Sequence, residues 1–521
     1  MTQGTAKRAQ MRSGRQLLVG AGTIAVLMLG ITSCANSSDD CTQFDTCALG
    51  VGGAGGTGGS GGSPDPACVP SMNADPIAES CGVFVSSGGD DANDGSQSAP
   101  VRTLVKALEL AAAKATPTYA CAEMFEEAVT LSAGTMFYGG LDCANGWRYA
   151  GSSVKTTIAP GPDAIPVKVT SGAKARLEDI EARAADAMTD GGSSIAALAE
   201  QGATVELVRC DLVAGNARDG AKGVTPSDPT GPTDPSDPGI RGANGSNACL
   251  GSAAGTPGGN GATNALCSVS VGGNGGAGMV TSGADGTDGQ PAGAFGANGV
   301  GQPNMGAWNC AAGGGQPGDS GANGANGAGA AMDDFGVLSS ASFTGTAGSA
   351  GESGAPGQGG GGGGGAKGKA SCNGASGGGG GAGGCGGKGG LGGQGGGSSI
   401  ALVSLGATFT FTEVTLTAGT GGNGGEGGDG QAGAIGGKGG NGGLGSGTLA
   451  ACAGGDGGQG GFGGKGGGGR GGHSIGIAYK GAAPSIDGAT IETGTLGKGG
   501  VGADAAGQGA DGIKENVKDF P

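Results

Sequence analysis

His473 is the single histidine of the 521-residue chain, so a Ser-His-Asp triad or a zinc site with a nitrogen ligand would have to be built around it. Its place in an internal repeat, at the position that Ser193 and Ser398 hold in other copies, identifies it instead as a turn residue. Asp90, Asp91, Asn93 and Asp94 crowd one acidic turn. Calcium, a hard cation, takes oxygen ligands of this kind. Asn and Asp are also the residues of tight turns, where they bond their own backbone. No glutamate follows at EF-hand spacing, and Gly424-Gly425-Glu426-Gly427-Gly428-Asp429 lacks the apolar position and tandem register of calcium-binding nonapeptides. Calcium at the 90–94 turn is thus the one cofactor the residues offer. Glycoside hydrolysis needs paired carboxylates, whereas Glu206, Asp211, Glu413, Asp487 and Glu492 are scattered, with no carboxylate recurring at one repeat position.

The cysteines carry a second chemistry. Lys7, Arg8, Arg12 and Arg15 precede an apolar run from Leu17 to Ile31, which leads into Ile31-Thr32-Ser33-Cys34. The run is about 15 residues, short of the roughly 20 that span a bilayer, so residues 1–33 read as a signal peptide. Small residues directly before a cysteine resemble the bacterial lipobox. That resemblance implies acylation of the Cys34 thiol, cleavage before it and acylation of the new amino group, several chains being needed for a durable anchor. Ala35 lacks the aspartate that retains lipoproteins at the inner membrane in some bacteria, which points to the outer membrane or cell surface.

Of the 14 cysteines, thirteen remain after Cys34. Export exposes them to an oxidising compartment, where most should pair, and an odd number leaves at least one free or intermolecular. Cys121 and Cys143 would close a loop of about 20 residues, worth roughly 3 kcal/mol, and Cys68 and Cys81 would pin an entry strand. No zinc-spaced Cys/His cluster is present.

The net charge is −16, with 27 basic against 43 acidic residues, and loss of the four basic signal residues makes the mature chain more acidic still. An acidic surface repels phosphate, which argues against nucleic acid as a partner. Glycine, at 135 residues, and the 3% aromatics dominate the rest, so much of the chain has too little apolar bulk for a conventional core.

The elements that would position these residues are legible in order. Residues 34–67, with the run Val51 to Ser63, form a Gly/Ser-rich tether of coil-like composition. From 68 to 216 the composition is ordinary. Val83-Phe84-Val85 reads as a strand, the 90–94 cluster as a turn, and Leu104 to about Lys114 as a helix whose Leu104, Ala107, Leu108 and Ala111 share a face, with Thr103 as N-cap. Ala128 to Leu131 and Thr135 to Gly140 read as the strands that follow. Strand, Asp/Gly turn, Pro-x-x-Thr-Leu and amphipathic helix resemble the entry segment of right-handed parallel β-helix proteins of the pectate-lyase-like class. In that class the helix plugs the N-terminal end of the solenoid. Some members are polysaccharide lyases or hydrolases, which use clustered acids or paired carboxylates and exposed aromatics. Trp147 and Tyr149 are expected to pack at the first rung instead.

Internal repeats extend that expectation. Ile195 followed by Gly202 to Gly215, Ile400 by Gly406 to Gly419, and Ile475 by Gly481 to Gly494 are copies of one unit of about 24 residues, with Ile165 to Arg183 a looser fourth. Each is a short strand, a Gly-Ala turn and two alternating strands. Such coils stack because one alone cannot bury its apolar side, placing Ile195, Val205 and Leu207 over Ile400, Phe409 and Phe411. Glycine-rich insertions at 217–395 and 420–471 precede the rungs at 396–419 and 472–495 respectively, and 496–521 reads as a C-terminal tail.

Glycine in the insertions is phased. Residues 421–447 read as nine triplets beginning with Gly, and 454, 457, 460, 463, 466, 469 and 472 are all Gly. A period of three matches a polyproline-II-type helix. Two readings stand open: polyglycine-II-like packing, and disorder, since glycine loses the most freedom on ordering. The Gly-Gly-X triplets resemble the glycine-rich part of the PE-PGRS proteins, without that family's N-terminal domain, and the resemblance implies display at a cell surface. The whole reads as a lipid-anchored, non-catalytic cell-envelope protein with a structural, adhesive or matrix role. It would touch the membrane through its anchor, and extracellular polysaccharide or other surface proteins beyond it. A β-helix carbohydrate-active enzyme and a calcium-dependent cohesion protein are the alternatives.

Overall fold

The computed structural model describes residues 65–132, 134–250 and 255–521. The signal segment, Cys34 and nearly all of the 34–67 tether lie outside them. The described chain is mostly β, with three sheets of stacked parallel strands that it visits in rotation, the first also carrying Arg148–Tyr149 antiparallel to Thr135–Asp142. The first sheet stacks Val83–Val85, Thr118–Cys121, Thr135–Asp142, Lys174–Glu178, Thr204–Val208 and Thr408–Thr412. The second stacks Met124–Phe125, Thr156–Ile158, Ile180–Arg183, Asp211–Val213, Val414–Ala418 and Ala489–Thr493. The third stacks Val129–Leu131, Val167–Val169, Ser194–Ala199, Ser399–Leu405, Ser474–Lys480 and Lys514–Asp519.

Alternation explains the register. In Thr204–Val208 the inward Val205 and Leu207 pair with Phe409 and Phe411 of the next strand and bury against Leu177, Ala175 and Leu212. The outward Glu206 lies between Arg176 and Thr410. Ile195, Ile400 and Ile475 are stacked as expected. They do not join Val205 and Leu207, however. Their side chains point to the outer face of the third sheet, where Leu338 and Phe343 of the antiparallel pair Val337–Leu338 and Phe343–Thr344, together with Phe520, cover them. Ala196 and Ala197 turn inward in succession, which frees both flanking positions to face out.

The N-terminal end is closed by the helix Leu104–Lys114. Thr103 Oγ1 accepts the Lys106 amide, and Leu104, Ala107 and Ala111 bury against the ends of the sheets. Residues 65–81 fold over the outside of the first sheet, covering the stacked Phe84, Tyr119 and Tyr138 with Val69 and Ile77. Bonds between Cys68 and Cys81 and between Cys121 and Cys143 frame this layer.

Both long glycine-rich segments leave after a second-sheet strand and return into a third-sheet strand. A third, shorter excursion does the same between Thr493 and Lys514. Residues 496–521 are therefore not a tail, because Lys514–Asp519 pairs in parallel with Ser474–Lys480 and continues the third sheet.

Within the excursions hydrogen bonding is dense and its period is three. The amides of Gly348, Gly351, Gly354 and Gly357 donate to Gly393, Gly390, Gly387 and Gly384. The next phase, Ser349, Glu352, Ala355 and Gln358, donates to Ala328, Ala325, Ala322 and Asp319. The third phase, Gly359, Gly362 and Gly365, donates to Gln290, Thr287 and Ala284. Successive amides thus reach three different neighbours. Where neighbours surround a segment on every side, only glycine fits: a Cβ on Gly360, Gly361 or Gly362 would collide with the carbonyl oxygens of Gly455, Ala297 and Asn274 respectively. At the rim, Asn and Asp side chains take the place of a neighbouring carbonyl. Asp219 Oδ1 accepts the Asn423 amide at 2.6 Å, Asn423 Oδ1 the Lys498 amide at 2.8 Å, and Asn323 Oδ1 the Phe462 amide at 2.9 Å. Cys249–Cys372, Cys267–Cys385 and Cys310–Cys452 tie these segments across 123, 118 and 142 residues.

Candidate functional site

The turn between the first and second sheets is tight, and in three successive coils its residue adopts the left-handed backbone: Asp179 at φ 57°, Arg209 at 49° and Glu413 at 54°. Glu178 pairs with Val208 and Val208 with Thr412, so these three turn residues stack. A side chain in this region is strained. Bonding between the coils offsets the cost. Arg209 Nε and Nη2 meet Asp179 Oδ1 and Oδ2, each at 2.9 Å, and Nη2 also reaches Glu178. Tyr149 donates its hydroxyl to Asp179 Oδ1 at 3.2 Å and lies beneath the Arg209 guanidinium.

Arg176, on the outer face of the first sheet, bonds Glu178 Oε2 at 2.9 Å and also bonds Glu206. Ser71, from the covering segment, donates to Glu178. Three carboxylates and two guanidiniums thus form one network, and Glu178 and Asp179 are each only 1% exposed. Burial raises the Asp179 pKa, and Arg209 only partly counters it. Burial works against the Arg209 charge, but bonds and attraction from Asp179 and Glu178 outweigh it and raise its pKa. The Tyr138 hydroxyl, pushed up to about 12 by burial, faces the Arg176 guanidinium without reaching hydrogen-bond geometry. Arg176 Nε and Glu206 Oε2 are likewise buried without partners.

An acid–base pair needs a carboxyl with a raised pKa and room for a substrate proton. Asp179 has the raised pKa, but Arg209 and Tyr149 occupy both its oxygens. The network therefore acts as a clamp that fixes two coils and the covering segment to one another. Sequence reasoning missed it. The signal was present as a charged residue just past the central strand in three of the four copies, at Asp179, Arg209 and Glu413; the last copy has Gly488 there.

The acidic turn supports the helix instead of gathering its carboxylates. Asp91 Oδ1 accepts the Arg102 and Thr103 amides at 2.9 Å, and Oδ2 the Thr103 hydroxyl. Although slight burial opposes it, these bonds hold the Asp91 pKa below its ordinary value. Asp90 Oδ1 accepts the Ala92 amide, Asp94 Oδ1 the Ser96 amide, and Asn93 donates to the Pro100 carbonyl. Among the described residues no group of three or more His, Cys, Asp and Glu side chains is arranged to hold a metal ion.

His473 is not an open turn residue. It is 1% exposed, its Nδ1 accepts the Ile513 amide at 3.1 Å, and its Nε2 lies 2.8 Å from the Phe335 carbonyl. Nε2 therefore carries the proton and the ring is neutral. Burial, with Arg470 and Lys518 nearby, lowers its pKa to about 4. Phe343 and Phe520 pack around it.

Trp147 is buried against Phe84. Cys210 is the free cysteine among the described residues, buried, with its thiol pushed up to about 12 by desolvation. A cleft of about 540 Å³ opens at the turn between the third and first sheets, where Glu200 binds the Ser171 amide and hydroxyl beside Leu405 and Lys480. No described helix is long and apolar enough to cross a membrane. No protein-family model, curated protein or solved structure matches the chain.

Proposed function

We propose that this is a lipid-anchored cell-surface protein with a non-catalytic structural, adhesive or matrix role. In this reading a right-handed parallel β-helix, plugged by the helix Leu104–Lys114, is a mount for a polyglycine-II-like bundle held away from the membrane by the tether. The observation that carries it is the three-way hydrogen bonding of the glycine segments, cross-tied by Cys249–Cys372, Cys267–Cys385 and Cys310–Cys452. Such a bundle is a stiff body presenting polar side chains in rows three residues apart, suited to holding a shape or meeting a repetitive partner. The cluster with a raised carboxyl pKa is committed to fastening coils together.

Two experiments test the reading. Radiolabelled fatty acid should enter the wild-type chain in a bacterial host and not the Cys34→Ser variant; equal labelling of both removes the anchor. The purified protein should release no product from acidic or neutral polysaccharides. Product above background would replace this role with a carbohydrate-active enzyme.

A further inference from the structure

The two ends of the stacked sheets are finished differently. At the N-terminal end Leu104, Ala107 and Ala111 of the helix seal the core, each at most 5% exposed. At the other end the inward side chains of the final strands, Ile491 and Val517, are only half-buried. The strand Lys514–Asp519 is hydrogen-bonded to Ser474–Lys480 on one side and stands at the edge of the third sheet. An edge strand is a template for further pairing, and natural sheets usually blunt it with charge.

Here the charges are ordered. The strand reads Lys514-Glu515-Asn516-Val517-Lys518-Asp519, and reversing it sets each charge opposite its complement. Antiparallel to itself about an axis between Asn516 and Val517, it matches Lys514 with Asp519 and Glu515 with Lys518, twice over. The faces match as well. Glu515 and Lys518 share the outer face, 4.0 Å apart, with Lys518 over the Phe335 ring. Val517 points inward beneath Ile477. Opposite charges directly across an antiparallel pair stabilise it and like charges destabilise it, and a two-fold contact uses the same patch on both copies.

We propose that Lys514–Asp519 pairs with the same strand of a second copy, joining two molecules end to end and covering Ile491 and Val517. The occupant is a second copy because the charge order is complementary to itself.

The test uses the full chain carrying Cys34→Ser, so that acyl chains cannot drive association. Light scattering across the micromolar range should give a dimer mass that falls toward monomer at high salt, since exposed charge pairs are screened. Lys514→Glu with Lys518→Glu should be monomeric alone, as should Glu515→Lys with Asp519→Lys, while their mixture forms a heterodimer. A monomeric wild type, or variants that each dimerise as the wild type does, overturns the proposal. Hydrogen exchange on the wild type gives a second reading that needs no variant. Amides of 514–519 should slow as concentration rises, and exchange independent of concentration also overturns it.

Discussion

Arg209 grips Asp179 of the preceding coil through two bonds of 2.9 Å, and both residues hold the left-handed backbone that side chains avoid. The strain and the ion pair belong to one device, because the turn that strains the backbone also sets the two side chains side by side.

Arg209→Ala should therefore lower stability to denaturant by about 3–5 kcal/mol, the cost of stranding a buried charge. Adding Asp179→Gly should recover much of that loss, since it removes the orphaned carboxylate and relieves the left-handed turn. Urea melts of the wild type, single and double variants give the comparison, and a double variant less stable than Arg209→Ala would contradict the coupling.

His473 predicts a pH response. Its folded pKa, about 4, lies below the ordinary 6.5, so between those values the unfolded chain binds the extra proton. The stability from the neutral ring is fully present above about pH 6.5 and is lost as pH falls toward 4, up to about 3 kcal/mol for a shift of this size. His473→Asn should flatten that part of the curve of melting temperature against pH. A variant that falls as steeply as the wild type over this window would assign the response to other groups.

Substitution inside the glycine bundle should be punished by position. Gly362→Ala sets a methyl against the Asn274 carbonyl and should loosen the bundle, seen as faster proteolysis and a lower melting temperature. Gly293→Ala, where a methyl comes no nearer than 3.4 Å and meets only the Gln358 side chain, should leave both nearly unchanged. Equal effects would show that the packing is not close.

The three bundle disulfides close loops of more than 100 residues. By the chain-entropy argument each is worth about 4–5 kcal/mol. Replacing Cys267 and Cys385 together by serine should lower the unfolding midpoint by that order, and the loss should vanish when both proteins are compared under reductant.

The strands, the capping helix and the stacking of Ile195, Ile400 and Ile475 were legible because alternation, capping and repetition are local signals. The outward direction of those isoleucines was not legible. It depends on the 337–344 hairpin, more than 100 residues away from Ile195 in the chain, which supplies the apolar cover. The strand Lys514–Asp519 was missed because its four charges resemble a solvated tail, and only pairing with Ser474–Lys480 makes it part of a sheet. The Arg209–Asp179 clamp was hidden for a related reason, since its partners lie 30 residues apart and meet only when coils stack.

Because consecutive amides of a glycine segment address three different neighbours, reading frame matters in this protein as it does in a gene. Adding one residue to such a segment would turn everything beyond it by a third of a revolution, driving side chains into the packed interior and glycines out to water. Adding three would lengthen the segment and leave every face where it was. Length changes in whole triplets should therefore leave the packing of these segments intact, whereas a single-residue change should break it.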